Sequence, residues 1–358
     1  MSSLASRTGV LLINLGTPDA PDAPSVRRYL REFLSDPHVI DSHPIARWLL
    51  LNLIILPFRP RRTAAAYQKV WTQAGSPLLI ASRDLQAAVA SALGGEYEVE
   101  VAMRYGSPSI ASGLAALRKS GVSSVVVLPL FPQYADSSTG STLAKVAELT
   151  KKDPHPLDIT LLPAFFDDPG WISSFVEAGR DTFAKAPCDH VLFSFHGIPE
   201  RQIRKCDPSG SWCLADPSCC DTVNERNPDC YRAQCFANAR ALAEQLHLEP
   251  DRWSVAFQSR LGATPWIQPF TDKVLPELAE RGVKNLVVAC PSFVADNLET
   301  LEEIGLRAAE QWNELGGEEL TLLPCPNGHP AWAEAVATMV RAAVTPDPRA
   351  SATATPSR

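Results

Sequence analysis

Positive charge is what this chain is short of: 33 lysines and arginines stand against 40 aspartates and glutamates in 358 residues, a formal net charge of −7. No stripe of basic residues interleaved with aromatics offsets the deficit, so a nucleic-acid partner is excluded and a small molecule is expected. Long hydrophobic runs are missing as well. The longest, Trp48–Phe58 (WLLLNLIILPF), has 11 residues, whereas a bilayer span needs about 20. A secretory leader is also lacking: Met1–Thr8 is mostly polar and is followed by only a short apolar stretch. The expectation is a cytoplasmic chain, in which nine cysteines read as thiols or metal ligands. Neither G-x-G-x-x-G after the first apolar run nor G-x-x-x-x-G-K is found, which disfavours nucleotide binding.

What is there is a repeated βαβ rhythm. Strand-like runs recur at 10–15, 99–103, 125–130, 190–195, 253–257 and 286–289, separated by helical patterns. They also match in pairs. VLLINLGTP from Val10 parallels VLFSFHGIP from Val191, LAALRKSGV from Leu114 parallels LPELAERGV from Leu275, and MRYG at Met103 parallels SRLG at Ser259. Three correspondences in the same order predict an α/β fold of two similar Rossmann-like halves, their parallel sheets facing a central cleft. The halves are placed at 8–150 and 151–343.

Ligands of open parallel sheets sit beyond the carboxyl ends of the strands, so the segments after each run should line the cleft. His196 ends one run and opens the turn His-Gly-Ile-Pro-Glu, where an imidazole can take a proton or bind a metal. Asp296, Glu299 and Glu303 follow another run, and their i, i+3, i+7 spacing on an α-helix gives one acidic face. Each feature alone is equally compatible with a strand cap or a solvated helix start. The other rims offer Phe131, Tyr134, Tyr105, Trp266 and Phe293 beside Arg104 and Arg260. Flat aromatic walls with a few cations suit a planar, apolar ligand bearing carboxylates, unless these aromatics are ordinary core between the halves.

These rim segments resemble the ferrochelatases, enzymes that insert ferrous iron into a porphyrin to make haem. The motifs are NLGTPDAP, REFLSDPHVID, AMRYGSPS, LPLFPQY, SFHGIPER, FQSRLG with PW, and DNLETLEEIG, and the likeness runs over about 8–343. The REFLSDP and FQSR forms resemble the Gram-negative enzymes that use protoporphyrin IX more than the Gram-positive ones that use coproporphyrin III. The resemblance implies that His196 is the active-site histidine, base or iron ligand, and Glu299 its acidic partner, with Glu303 and Asp296 behind. It implies a porphyrin held by Leu15, Tyr105, Tyr134, Trp266 and Phe293, its propionates by Arg104, Ser137 and Thr139. One departure is Asn297, where many relatives carry His or Cys; an amide takes up no proton.

Six cysteines crowd the insert at 204–235: Cys206, Cys213, Cys219, Cys220, Cys230 and Cys235. The residues between them are turn formers with too little apolar surface to order themselves. A metal centre on four thiolates would order them, and the spacing suits neither a zinc finger nor a bacterial four-iron pattern well. Some microbial ferrochelatases that the chain resembles carry a 2Fe-2S cluster on such a segment. On that likeness the ligands are Cys206, Cys213, Cys220 and Cys230. Cys219 is left out because neighbouring side chains should diverge. Zinc and free thiols are the alternatives.

The apolar run at 48–58, flanked by Arg47, Arg59, Arg61 and Arg62, is either a core helix or an exposed lip. As a lip, 48–62 would make peripheral contact with the inner membrane. Residues 345–358 are Pro, Ser, Thr and Ala without periodicity and are expected to be disordered. Two competing functions remain at this level. One is a cobalt or nickel chelatase for a corrin precursor, which should show a second metal-binding histidine. The other is a porphyrin or haem carrier with a redox-sensing cysteine segment, which needs no opposed base and carboxylates.

Overall fold

A computed structural model describes residues 7–345 apart from 152, 154, 155, 261 and 263. Beyond Thr345, the tail expected to be disordered lies outside the described residues.

Two four-stranded parallel sheets dominate. The first has β1 (Thr8–Thr17), β2 (Tyr97–Gly106), β3 (Ser124–Pro129) and β4 (Asp158–Leu161) in the order β2-β1-β3-β4. The second has β5 (His190–His196), β6 (Trp253–Gln258), β7 (Asn285–Ala289) and β8 (Glu319–Leu322) in the order β6-β5-β7-β8. One order is the other shifted by four strands, so the sequence duplication is a structural one. Helices Ile110–Lys119 and Thr271–Glu280, which carry the second pair of matching segments, cross over between equivalent strands. β1 and β5 are central, buried on both faces, and so read as continuous apolar runs. Along β1 the alternation is still visible, since Val10 and Leu12 enter one core and Leu11 and Ile13 another.

β4 and β8 escaped sequence reading because each is a four-residue edge strand with no fully buried residue. β4 pairs with β3, so the first sheet extends past 150. The last helix, Pro330–Val344, turns back to pack on Pro77–Leu93 of the first half and on Pro169–Lys185. Its Trp332 and Val336 are wholly enclosed in one core shared by both halves.

Residues 44–70 form one nearly continuous helical arm, Pro44–Leu49, then a π-helical stretch Leu50–Ile55, then Leu56–Val70. Leu51, Leu56, Pro60, Ala64 and Tyr67 face inward, the five-residue first step reflecting the wider π turn. Trp48, Leu53, Ile54 and Phe58 are left exposed, Phe58 to 75%. The apolar run is therefore a lip and not a core helix. Among the described residues no helix is long and apolar enough to cross a membrane.

Candidate active site

His196 is the last residue of β5, and its backbone is pinned where the ladder ends. Its N–H donates to Ser292 Oγ at 3.1 Å, and its carbonyl accepts from Tyr231 Oη at 2.8 Å. Ring atom Nδ1 lies 2.6 Å from the Gly197 carbonyl oxygen, which can only accept. In the neutral ring Nδ1 therefore carries the hydrogen, and Nε2 keeps its lone pair. Phe293 stands edge-on to the imidazole at 6.3 Å. Trp266 packs over Gly197: a Cβ there would come within 3.3 Å of the indole and 2.8 Å of the Gln258 carbonyl. Only glycine lets the indole come so close beside the histidine.

Glu299 opens a π-helical segment, Glu299–Ala308, where the sequence spacing had assumed an α-helix. Asn297 heads it, its Oδ1 accepting from the N–H groups of Glu299 and Thr300. Burial pushes the Glu299 carboxyl pKa up; the charge of His196 lowers it, Glu303 raises it and Arg59 lowers it. Glu303 is held by Ser259, whose N–H and hydroxyl both donate to it, at 3.0 and 2.5 Å. A cavity of about 240 Å³ adjoins Glu303, lined also by Arg260, Asp272 and Arg307.

Several expected site residues are engaged elsewhere. Asp296 does not join the acidic row: its carboxylate accepts from Asn327 Nδ2 at 2.7 Å and Cys325 N–H at 3.1 Å, tying the loop before the last helix. Arg104, expected to hold a propionate, is engaged within the fold. Its guanidinium pairs with Asp36 and donates to Ser141 Oγ at 2.7 Å. Tyr105 is not a cleft wall either, being buried against Phe33 with its hydroxyl donated to Asp36 at 2.8 Å. Thr139 is buried and its hydroxyl has no partner, while Ser137 in the same π-helical turn, Asp136–Gly140, is half-exposed. Tyr134 stays half-buried, its N–H donating to Gln234 at 2.7 Å. Leu15 packs with Tyr29, Tyr67 and Leu298.

Sequence reasoning missed Tyr29, Tyr67 and Arg59, all of which interact electrostatically with Glu299. Burial raises the pKa of both phenols, so they stay neutral. Tyr29 and Tyr67 stand outside the rim motifs, and Arg59 was read only as a flank of the apolar run, so no local pattern marked them as neighbours of Glu299.

In the insert, Asp207 organises the chain by accepting from the N–H groups of Trp212 and Cys213 at 2.7 and 2.8 Å. Four thiols gather. Cys219 Sγ lies 3.6 Å from Cys220 Sγ, and the Cys230 thiol faces both Cys213 and Cys220. The expectation that Cys219 and Cys220 diverge fails because they close the tight 3₁₀ turn Pro217–Cys220. Cys206 stands apart, facing Asp136, Asp229 and Lys205. Among the described residues no three His, Cys, Asp or Glu side chains are arranged to hold a single metal ion.

The two matched sheets, with a histidine and a carboxylate beyond the neighbouring strands β5 and β7 of the second, have the architecture of the chelatases. The structure resembles SirB from Bacillus subtilis with Fe3+ at a TM-score of 0.55, covering 95% of this chain and 96% of that one. It resembles the sirohydrochlorin chelatase SirB from Bacillus subtilis subspecies spizizenii in complex with cobalt at 0.53, covering 94% and 95%. Both are 12% identical in sequence, which makes this a likeness of fold.

Sequence relatives narrow the class. The family model for ferrochelatase matches residues 7–344. The chain is 47% identical over 337 residues to the ferrochelatase of Coxiella burnetii (strain CbuK_Q154), covering 94% of each. It is 47% identical over 338 residues to that of Legionella pneumophila (strain Lens), covering 93% of this chain and 98% of the relative. The chain belongs to the ferrochelatase family.

Proposed function

We propose that the protein inserts ferrous iron into protoporphyrin IX, yielding protohaem and two protons. The observation that carries this is the placing of His196 and Glu299 beyond the ends of the neighbouring strands β5 and β7, with burial raising the Glu299 carboxyl pKa and His196 acting on it in the opposite sense. Each incoming ion must displace two pyrrole N–H protons. In the neutral ring, with Nδ1–H donated to Gly197, His196 Nε2 carries the lone pair that takes the first. Glu299 takes the second, its raised pKa making the carboxyl a better proton acceptor than an ordinary one. Glu303, fixed by Ser259, supports iron delivery to that face. Trp266 and Phe293 wall the ring beside His196, Leu15 packs opposite, and Tyr134 and Ser137 sit at the rim where a propionate would emerge.

The exposed lip of Leu53, Ile54 and Phe58 favours a ring with apolar edges, protoporphyrin over the more carboxylated coproporphyrin III. The same lip, with Arg59, Arg61 and Arg62 beside it, suits peripheral contact of a cytoplasmic protein with the inner membrane.

The insert's donor set suits a 2Fe-2S cluster on Cys213, Cys219, Cys220 and Cys230. Two thiolates on one tetrahedral ion with ~2.3 Å bonds lie about 3.8 Å apart, and the Cys219–Cys220 sulfurs already stand at 3.6 Å. Such a cluster would supply a covalent cross-link and a one-electron couple to a segment that lacks a core of its own.

The test is anaerobic incubation with ferrous iron and each porphyrin, following metalloporphyrin absorbance for the parent and for His196→Ala. Turnover of protoporphyrin by the parent, lost in the variant, is expected. Preference for coproporphyrin III would reassign the substrate, and binding without insertion would make the protein a carrier.

A further inference from the structure

Two residues outside the reacting pair converge on the backbone of His196. Tyr231 Oη donates to the His196 carbonyl at 2.8 Å and lies 2.8 Å from Ser292 Oγ, which in turn accepts the His196 N–H at 3.1 Å. The carbonyl oxygen has no proton to give, so Tyr231's hydrogen goes there. Ser292 Oγ is then left to accept from the backbone and to present its own hydrogen toward the tyrosine oxygen. The phenol is buried, and burial holds it firmly in its neutral, donating form. Both backbone polar atoms of the residue that ends β5 are thus taken up by one hydroxyl pair, whose phenol also faces the Cys235 thiol. Neither hydroxyl belongs to the porphyrin walls described above.

Tyr231 is also the first residue of the helix Tyr231–Gln245, directly after Cys230, which caps that helix. Ser292 lies in the turn that follows β7. The pair therefore joins three things at one point: the end of the catalytic strand, the turn bearing Phe293, and the last cysteine of the gathered thiols.

We propose that Tyr231 and Ser292 are positioning residues that aim His196 Nε2 into the cleft and make its aim depend on the order of the cysteine segment. This rests on the reading of His196 as the reacting base. A small backbone rotation at 196 moves the imidazole tip, and proton transfer falls steeply with misplacement. The Gly197 peptide that receives Nδ1–H is itself fixed by its N–H to the Gln258 carbonyl at 2.8 Å. Loosening the pair thus leaves a strand end that keeps its fold but not its direction.

The experiment compares the parent, Tyr231→Phe, Ser292→Ala and His196→Ala, all purified as the full chain. Each is assayed for kcat and for KM toward protoporphyrin and ferrous iron. Each is also examined by NMR after ¹⁵N-histidine labelling, with the signal missing in His196→Ala assigning that ring. For Tyr231→Phe we expect kcat to fall about tenfold, the change one lost hydrogen bond allows. KM for porphyrin should stay within about twofold, and the His196 ring signals should shift from the parent's Nδ1–H pattern. Ser292→Ala should give the same split, and it decides the matter if Tyr231→Phe does not fold. Cys230→Ser should shift the His196 signals in the same direction. An unchanged kcat in both hydroxyl variants, or an unmoved His196 signal, overturns the proposal. Activity surviving in His196→Ala overturns instead the reading beneath it.

Discussion

Asn297 and Glu299 are joined by a hydrogen bond from the Glu299 N–H to the Asn297 Oδ1 at 2.9 Å. The Asn297 amide is here the cap of the helix that presents the acid. It accepts a second bond from Thr300 at 3.1 Å and donates Nδ2 to the Ala295 carbonyl at 3.0 Å. Asn297→Ala should cost about 1 kcal/mol of stability, as the loss of a helix cap does. It should also lower kcat more than it raises KM, because Glu299 loses its fixed position. Thermal melting and steady-state kinetics together check this; an unaltered melting temperature would contradict the cap.

Arg104 provides a test of burial against ligand recognition. Its guanidinium is the counter-ion of Asp36, whose carboxylate also receives the Tyr105 and Ser141 hydroxyls at 2.8 and 2.7 Å. Arg104→Ala leaves that carboxylate short of its cation in a buried setting, a loss of about 3 kcal/mol. At temperatures where the variant remains folded, its KM for porphyrin should match the parent's. A selective rise in KM with unchanged stability would return Arg104 to the substrate site.

Glu299 should make itself felt in the pH dependence of stability. Its pKa in the fold lies above the ordinary carboxyl value, chiefly through burial. The native state therefore holds the proton after the unfolded chain has released it, and stability declines as pH rises through that window. Glu299→Gln should melt higher than the parent at neutral pH, with no advantage below the ordinary carboxyl range, while turnover falls at least a hundredfold. Equal melting temperatures at pH 7 would argue against a destabilised acid.

For the insert, Cys219→Ser should abolish the visible absorption of the anaerobically purified protein, and Cys206→Ser should leave it intact. The opposite pair of results would restore Cys206 to the ligand set.

Phe58 and Leu53 on the lip are exposed apolar side chains, which the proposed membrane contact would bury. Their joint replacement, Leu53→Asp with Phe58→Asp, should reduce co-sedimentation with anionic phospholipid vesicles by tenfold or more, given about 1.5–3 kcal/mol per large apolar side chain. Parent protein that stays in the supernatant would remove the membrane from the picture.

How much of this was written in the chain can be judged residue by residue. His196 was legible because a buried strand and a turn signal meet at it, and the central strands were legible because burial on both faces forces apolar runs. The Arg104 ion pair was not legible because its partner, Asp36, lies 68 positions away at the end of another helix. No local pattern carries that distance. Asp296 was misplaced because the spacing rule assumed α-helical geometry, and a π-helix beginning at Glu299 leaves it outside. Cys219 was rejected by an argument sound for extended chain and wrong for the 3₁₀ turn it occupies. Tyr29 and Tyr67 reach the acid only through the packing of two helices, Ala23–Ser35 and Leu56–Val70, that tertiary structure alone brings together.

The helix Pro330–Val344 lies on the flank of the first half, against Pro77–Leu93, with Arg341 donating to the Ala92 carbonyl and Gly328 pressed on Asp84. On the ribosome, the first sheet therefore emerges long before the segment that completes its flank. Until that helix is released, the core it shares with Pro77–Leu93 and Pro169–Lys185 lacks Trp332 and Val336. The two halves are copies in design but not in time, and neither can finish folding before the other exists.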